Sequence, residues 1–244
     1  ELTVVSRTEV LTQAPAQAPS TIPWESVRDR YQYRASARWD AAVEFCFASP
    51  LAPRHAEFVD WARPSFEPGR PLIDVARDLT RRIHAELTYA PQSTEVHTSP
   101  REALAQKRGV CQDFAHILIA CLRSRGLPAR YVSGYLLTQP PPGQARLIGS
   151  DASHAWASVF LPDLAAGGLE GGWYDLDPTN DRCGRGSPGE DYVSVATGRD
   201  FGDVSPIRGV IHGGARHTLA VGVTVAPAPD DVTGATEPSD KESP

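Results

Sequence analysis

The feature that most constrains this chain is the stretch Gly109-Val110-Cys111-Gln112-Asp113-Phe114-Ala115-His116, which opens a run, Phe114 to Leu122, that is apolar except for His116. Such a run, closed by Gly126 and Pro128, reads as a buried helix from Cys111 to Ser124 entered from a loop. A helix that is apolar all round needs other elements packed about it. Its start also has a chemical consequence. The first turn of a helix carries unpaired N–H groups and a partial positive charge, and both favour the thiolate, the reactive form of a cysteine. Cys111 is therefore a candidate nucleophile.

The 244 residues are 41% hydrophobic and 22% charged, enough to bury the core of one large globular domain. The net charge of −6 comes without a dense basic cluster, which argues against nucleic acid as a partner, because phosphate binding concentrates Lys and Arg. No apolar run approaches the roughly 20 residues that span a bilayer, and no leader pattern opens the chain, so no membrane partner is expected. Cys46, Cys111, Cys121 and Cys183 show no regular spacing. Cys111 and Cys121 would lie about 15 Å apart along one helix, too far to pair. Few, irregular cysteines favour a reducing, cytoplasmic setting.

Taken in order, residues 2–12 are rich in Thr, Val and Leu and read as a strand. The linker over 13–23 leaves that strand no nearby partner, so residues 1–23 are expected to be the last strand and linker of an N-terminal β domain. Residues 24–225 form the expected catalytic domain. A short helix is expected over Val27 to Tyr33, another over Ala56 to Ala62, and a stronger one from Pro71 to Leu87, where Leu72, Ala76, Leu79, Ile83 and Leu87 share a stripe. Ser99 and Glu102 have the spacing of a capping box before a helix to about Gln106. After Gly126 the period changes to two. Strands are expected over Ala129 to Leu137, Ser153 to Leu161, Trp173 to Leu176, Tyr192 to Ala196 and His217 to Val225, with a Pro- and Gly-rich loop over Thr138 to Ala152. Residues 226–244 are acidic, Pro-rich and expected to be disordered. Helices first and strands second is an α+β layout.

A cysteine nucleophile needs a base for its proton and a third group to orient that base. In Ser153 to Leu161 the side chains of His154, Trp156, Ser158 and Phe160 share one face. If the Cys111 helix packs on that face, His154 points at the thiol and Trp156 shields it. The return through Gly171 and Gly172 brings Asp177 alongside as the orienting carboxylate, with Asp175 as its competitor. Pro178 fixes the backbone after Asp177 and favours it. Trp156 and Trp173 are expected to wall the site. The backbone N–H of Cys111 is the expected oxyanion donor. His84, His97, His212 and His217 lack metal-ligand spacing, and Gly213-Gly214 is too short for a phosphate loop. Neither a metal nor a cofactor is expected. Cys46, Cys121 and Cys183 are read as structural, and His116 as a histidine of the core or one that supports the site from behind.

Four collinear motifs make a resemblance specific. Gly109-Val110-Cys111-Gln112-Asp113-Phe114-Ala115, Gly126-Leu127-Pro128-Ala129-Arg130-Tyr131-Val132-Ser133-Gly134-Tyr135, His154-Ala155-Trp156 and Trp173-Tyr174-Asp175-Leu176-Asp177-Pro178-Thr179-Asn180 resemble the transglutaminase-like core of bacterial cysteine-protease-type proteins, from about Pro71 to Asn180. The resemblance implies a papain-like α+β fold, with helices packed on an antiparallel sheet or open barrel, and a Cys-His-Asp triad carried onto Cys111, His154 and Asp177. It also likens residues 200–225 to the C-terminal end of such proteins, and residues 2–12 to the tail of the β domain that precedes their core. The expected activity is thiol-dependent acyl transfer on a protein or peptide substrate, by hydrolysis of a peptide or isopeptide amide. The alternatives are a transglutaminase with an amine acceptor and a catalytically silent binding module on the same scaffold.

Overall fold

A computed structural model describes residues 3–35, 39–90, 99–137, 153–205 and 222–228. The helices are α1 (Trp24–Arg30), α2 (Ala56–Ala62), α3 (Leu72–Glu86), α4 (Pro100–Gln106), α5 (Cys111–Ser124) and α6 (Phe201–Val204). The strands are β1 (Thr88–Tyr89), β2 (Arg108–Gly109), β3 (Ala129–Leu136), β4 (Ser153–Phe160), β5 (Trp173–Asp177), β6 (Arg182–Arg185) and β7 (Tyr192–Gly198). The last five form one antiparallel sheet in the order β6-β5-β4-β3-β7. The α+β arrangement of helices on an antiparallel sheet is the one the sequence implies.

The central helix α5 is buried from Asp113 to Arg123. It packs against Ala129 and Tyr131 of β3, Ala155, Ala157 and Val159 of β4, and Tyr174 and Leu176 of β5, together with the apolar stripe Leu72, Ala76, Leu79 and Ile83 of α3. Arg123 is a charged residue carried fully into this core. Its guanidinium donates to the carbonyls of Phe45, Ala129 and Arg199 and to Ser49 Oγ, which satisfies its N–H groups away from water and ties the segments on either side of the helix.

This packing corrects one expectation. The helix covers the face of β4 that bears Ala155, Ala157 and Val159, and Trp156 belongs to a separate cluster with Val132 and Tyr192 on the other face. The small Ala side chains let the helix sit close to the sheet, and the large side chains of the alternate set fill the opposite side. The strand expected over 2–12 is also absent: residues 3–12 form no strand and Val4, Val5 and Leu11 are exposed. Nothing in the described chain pairs with them before Ala16 bridges Arg185 of β6. Ser99 caps α4 through Arg101 N, but Glu102 bonds Gln106 rather than closing a box. The loop over 138–152, most of the strand over 217–225 and nearly all of the tail over 226–244 lie outside the described residues, as do His97, His212, His217, Gly213 and Gly214. Among the described residues no helix is long and apolar enough to cross a membrane, and no His, Cys, Asp and Glu side chains group as metal ligands.

Candidate active site

Antiparallel pairing brings four strand ends together: the starts of β4 and β7 and the ends of β3 and β5. His154 is the second residue of β4 and Asp177 the last of β5. Both belong to the face turned away from the body of α5. The helix nevertheless begins at this end of the sheet, so the thiol of its first residue reaches the histidine.

The entry to α5 is built by three residues. Val110 is the N-cap, and its N–H donates to Asp113 Oδ2 at 2.9 Å, which satisfies a donor at the helix start and places negative charge in the first turn. Gly109 makes room for this: a Cβ there would lie 2.8 Å from both Asp113 Cβ and Oδ2. On the other side Ala90 N donates to Gly109 O, and β1 pairs in parallel with β2. Cys111 is thus held at the first helical position, half-buried, beside Tyr89 and Tyr131. Its backbone N–H belongs to the first turn, whose donors have no intrahelical acceptor.

His154 joins the other two groups. Its Nε2 lies 2.7 Å from Asp177 Oδ2, and Cys111 is near enough to the same ring to act on its charge. With Nε2 engaged by the carboxylate, Nδ1 is the nitrogen left for sulfur. Burial by itself would depress the histidine. The hydrogen bond to Asp177, with the influence of the nearby Cys111 and the negative charge on both groups, outweighs it and raises His154 to about 9. Asp177 has no exposed surface, and burial by itself would raise its carboxyl. His154 and two further donors instead hold it below the usual range. These donors are Tyr192 Oη at 2.6 Å and Asn180 Nδ2 at 2.7 Å, both on Oδ2, while Thr179 N donates to Oδ1 at 2.8 Å. The turn carrying Thr179 and Asn180 is steadied from α3, where His84 Nδ1 lies 3.0 Å from Thr179 O.

Asp175 is not brought to this cluster. It accepts a hydrogen bond from Ser158 Oγ on the neighbouring strand, and burial raises its carboxyl against the pull of Ser158 and Arg130. The two tryptophans divide. Trp156 backs the histidine, with ring centroids 6.1 Å apart. Trp173 begins β5, four residues from Asp177, and packs with Phe160, Phe45 and the Arg130 guanidinium. The expectation that it walls the site is corrected: a five-residue strand puts its two ends about 13 Å apart.

Residues 60–178 match the family described as the transglutaminase-like superfamily. The chain belongs to the transglutaminase-like superfamily. An uncharacterized protein of Mycobacterium tuberculosis is 44% identical over 216 residues, covering 87% of this chain and 64% of its own length, so the chain spans just under two thirds of that relative. An uncharacterized protein of Mycobacterium leprae is 35% identical over 228 residues, 92% of this chain and 73% of its own. A protein-glutamine gamma-glutamyltransferase of Pseudomonas aeruginosa is 29% identical over 170 residues, 64% of this chain and 24% of its own. Among solved structures, a candidate cysteine protease from Cytophaga hutchinsonii has a TM-score of 0.53 at 24% identity, covering 73% of this chain and 54% of its own, a likeness of fold.

The superfamily segment spans Cys111 and His154 and ends one residue past Asp177, so Asn180 and Tyr192 lie beyond it. Sequence reading passed over both as site residues. Asn180 closes the last motif and its place beside Asp177 was legible there. Tyr192 carries no local signal, because its contact with Asp177 depends on the order of strands in the sheet.

Proposed function

We infer that this domain is a thiol-dependent acyl-transfer enzyme that hydrolyses peptide or isopeptide amide bonds. The observation that carries the reading is one imidazole held by a buried carboxylate, with a helix-start thiol close enough to act on its charge. Cys111 Sγ attacks the substrate carbonyl carbon, and the first-turn N–H groups, that of Cys111 included, stabilise the developing oxyanion. The carbon–nitrogen bond breaks as the protonated His154 gives its proton to the leaving amine, leaving a thioester. Water then adds to the thioester while His154 takes its proton, the carbon–sulfur bond breaks and the thiolate returns. Asp177 keeps the ring in register through both halves.

Alkylation tests the nucleophile without a known substrate. Burial pushes Cys46 and Cys183 up to about 12, and Cys121 higher still, so those thiols are expected to be inert. Iodoacetamide at pH 6 should modify one site, read by peptide mass mapping, and Cys111→Ala should abolish it. Fast labelling that survives this substitution would remove Cys111 from the mechanism; slow labelling of the parent would favour a silent binding module.

A second reading replaces water by a primary amine, making the same domain a transglutaminase. It is motivated by the gamma-glutamyltransferase relative. Incorporation of a fluorescent primary amine into a glutamine-bearing protein, dependent on Cys111, would favour it, and release of free carboxylate alone would favour hydrolysis.

A further inference from the structure

Asp177 Oδ2 receives three donors, and only one of them is the histidine. Tyr192 Oη donates at 2.6 Å and Asn180 Nδ2 at 2.7 Å, and Asn180 Nδ2 also lies 3.3 Å from Tyr192 Oη, which closes a triangle on that oxygen. The tyrosine comes from the far edge strand. β4 and β3 lie between β5 and β7, and the phenol reaches Asp177 across them, edge-on to Trp156 with centroids 5.4 Å apart. Its ring is 5.9 Å from that of His154. Burial first, and the neighbouring Asp177 next, hold the phenol well above the ordinary tyrosine range, so it stays protonated as a donor.

We propose that Tyr192 and Asn180 are positioning residues that share the charge of Asp177 and so temper how strongly it holds the His154 imidazolium. The inference rests on the reading of Cys111, His154 and Asp177 as a triad. Its physical basis is competition for one oxygen. A carboxylate that already accepts from a phenol and an amide is a weaker acceptor toward a third donor, because hydrogen bonds to the charged form stabilise it by themselves. The tempered imidazolium remains acidic enough to give its proton to a leaving amine. An Asp held by histidine alone would bind that proton more tightly and slow the transfer.

The groups facing the histidine are Cys111 from α5, Asp177 from β5, Asn180 from the turn after β5 and Tyr192 from β7. Arg182 of β6 stands over the Tyr192 ring at 5.0 Å and pairs with Asp191 at 2.7 Å. Neither Tyr192→Phe nor Asn180→Ala removes a charge, so a change in histidine titration reads the hydrogen bonds themselves.

The test is an NMR titration of the His154 imidazole in the full chain, with the pH dependence of Cys111 alkylation by iodoacetamide beside it. Tyr192→Phe keeps the ring against Trp156 and deletes only the hydroxyl. It is expected to move the His154 midpoint upward by roughly half a pH unit or more, and Asn180→Ala to move it the same way. A midpoint that is unchanged or lower in both variants, with near-ultraviolet circular dichroism like the parent's, overturns the proposal. Asn180→Ala decides alone if Tyr192→Phe does not fold. A parent protein whose Cys111 resists alkylation throughout would instead sink the triad reading, so the two failures are distinguishable.

Discussion

The indole of Trp156 occupies the space that a side chain at position 134 would need. A Cβ on Gly134 would lie 2.5 Å from Trp156 Cη2 and 2.2 Å from Val193 O. Gly134 sits opposite His154 in the β3–β4 register, and the β3–β7 register shifts beside it, between Ser133 and Gly134. The missing side chain therefore lets the strand bearing the histidine, the indole behind it and the strand bearing Tyr192 close up. Gly134→Ala is expected to destabilise the fold by about 1–3 kcal/mol and to lower activity in the fraction that stays folded. Urea unfolding would show it as a lowered midpoint. A variant as stable as the parent would mean that the indole has another place to go.

The two carboxylates of β5 should separate cleanly on mutation. Asp177 bonds His154 and Asp175 bonds Ser158, although both lie on the same face of one strand. Asp177→Asn keeps the shape and removes the charge that holds the imidazolium, so amide hydrolysis is expected to fall roughly a hundred- to ten-thousand-fold. Asp175→Asn keeps a hydrogen-bonding partner for Ser158 and is expected to leave the rate within about threefold, because it touches neither His154 nor Cys111. Equal losses in the two variants would contradict the assignment of Asp177. A fluorogenic peptide amide cleaved by the parent supplies the measurement.

Most of the fold was legible because local patterns specify it. The bounds of α2 and α5 follow from apolar spacing and from the Gly and Pro that interrupt it, and the strand starts at Ala129, Ser153, Trp173 and Tyr192 follow from the change of period after Gly126. What failed is what local pattern does not encode. Alternation in β4 shows that His154 and Trp156 share a face, but not which face the helix will cover, and the Ala155-Ala157 side took it. Leu2 to Thr12 has strand composition, but the described chain gives it no partner to pair with. β6 is short and carries two arginines and a glycine, so it gives no apolar signal; it forms because it pairs with β5. Tyr192 reaches Asp177 only through the strand order, which no spacing along the chain reveals. The neighbourhood of Cys111, His154 and Asp177 was easier, since these three residues sit in motifs that end or begin elements.

The alkaline side of the activity profile should report His154. Cys111 must be ionised while His154 keeps its proton, so activity rises with thiolate and falls as the imidazolium is lost, a bell. With His154 raised to about 9, the falling limb is expected near pH 9, about two and a half units above an ordinary histidine. The same shift links to stability. A group with a raised folded pKa contributes stability that is fully present below about pH 6.5 and is lost as pH rises through about 9. Unfolding free energies measured from pH 6 to 10 should therefore decline, and His154→Gln should remove that part of the decline. A falling limb near pH 6.5 would show that Asp177 and Cys111 do not hold the proton.

The acid side of the stability profile should report a different histidine. His116 lies on α5, five residues after Cys111, stacked on Tyr131 at 4.9 Å, and its Nε2 accepts a hydrogen bond from Phe201 N at the start of α6. Burial lowers it to about 4; Asp200 opposes that and Arg123 adds to it. It is therefore neutral in the fold, and protonation would turn the acceptor facing Phe201 N into a donor. Here the folded pKa is depressed, so the unfolded chain binds the extra proton between pH 6.5 and about 4, and stability falls as pH drops through that window. One proton sets the slope at no more than about 1.4 kcal/mol per pH unit, on the order of 3 kcal/mol across the window. The raised Asp175 carboxyl works in the opposite direction on the acid side, so the contribution of the histidine is read as the difference between the parent and a variant without the ring. His116→Gln keeps an acceptor for Phe201 N without a titrating ring and is expected to flatten stability over that interval, read by urea unfolding. A His116→Gln variant with the same slope as the parent from pH 6 to 5 would place the charged form of His116 in the folded state.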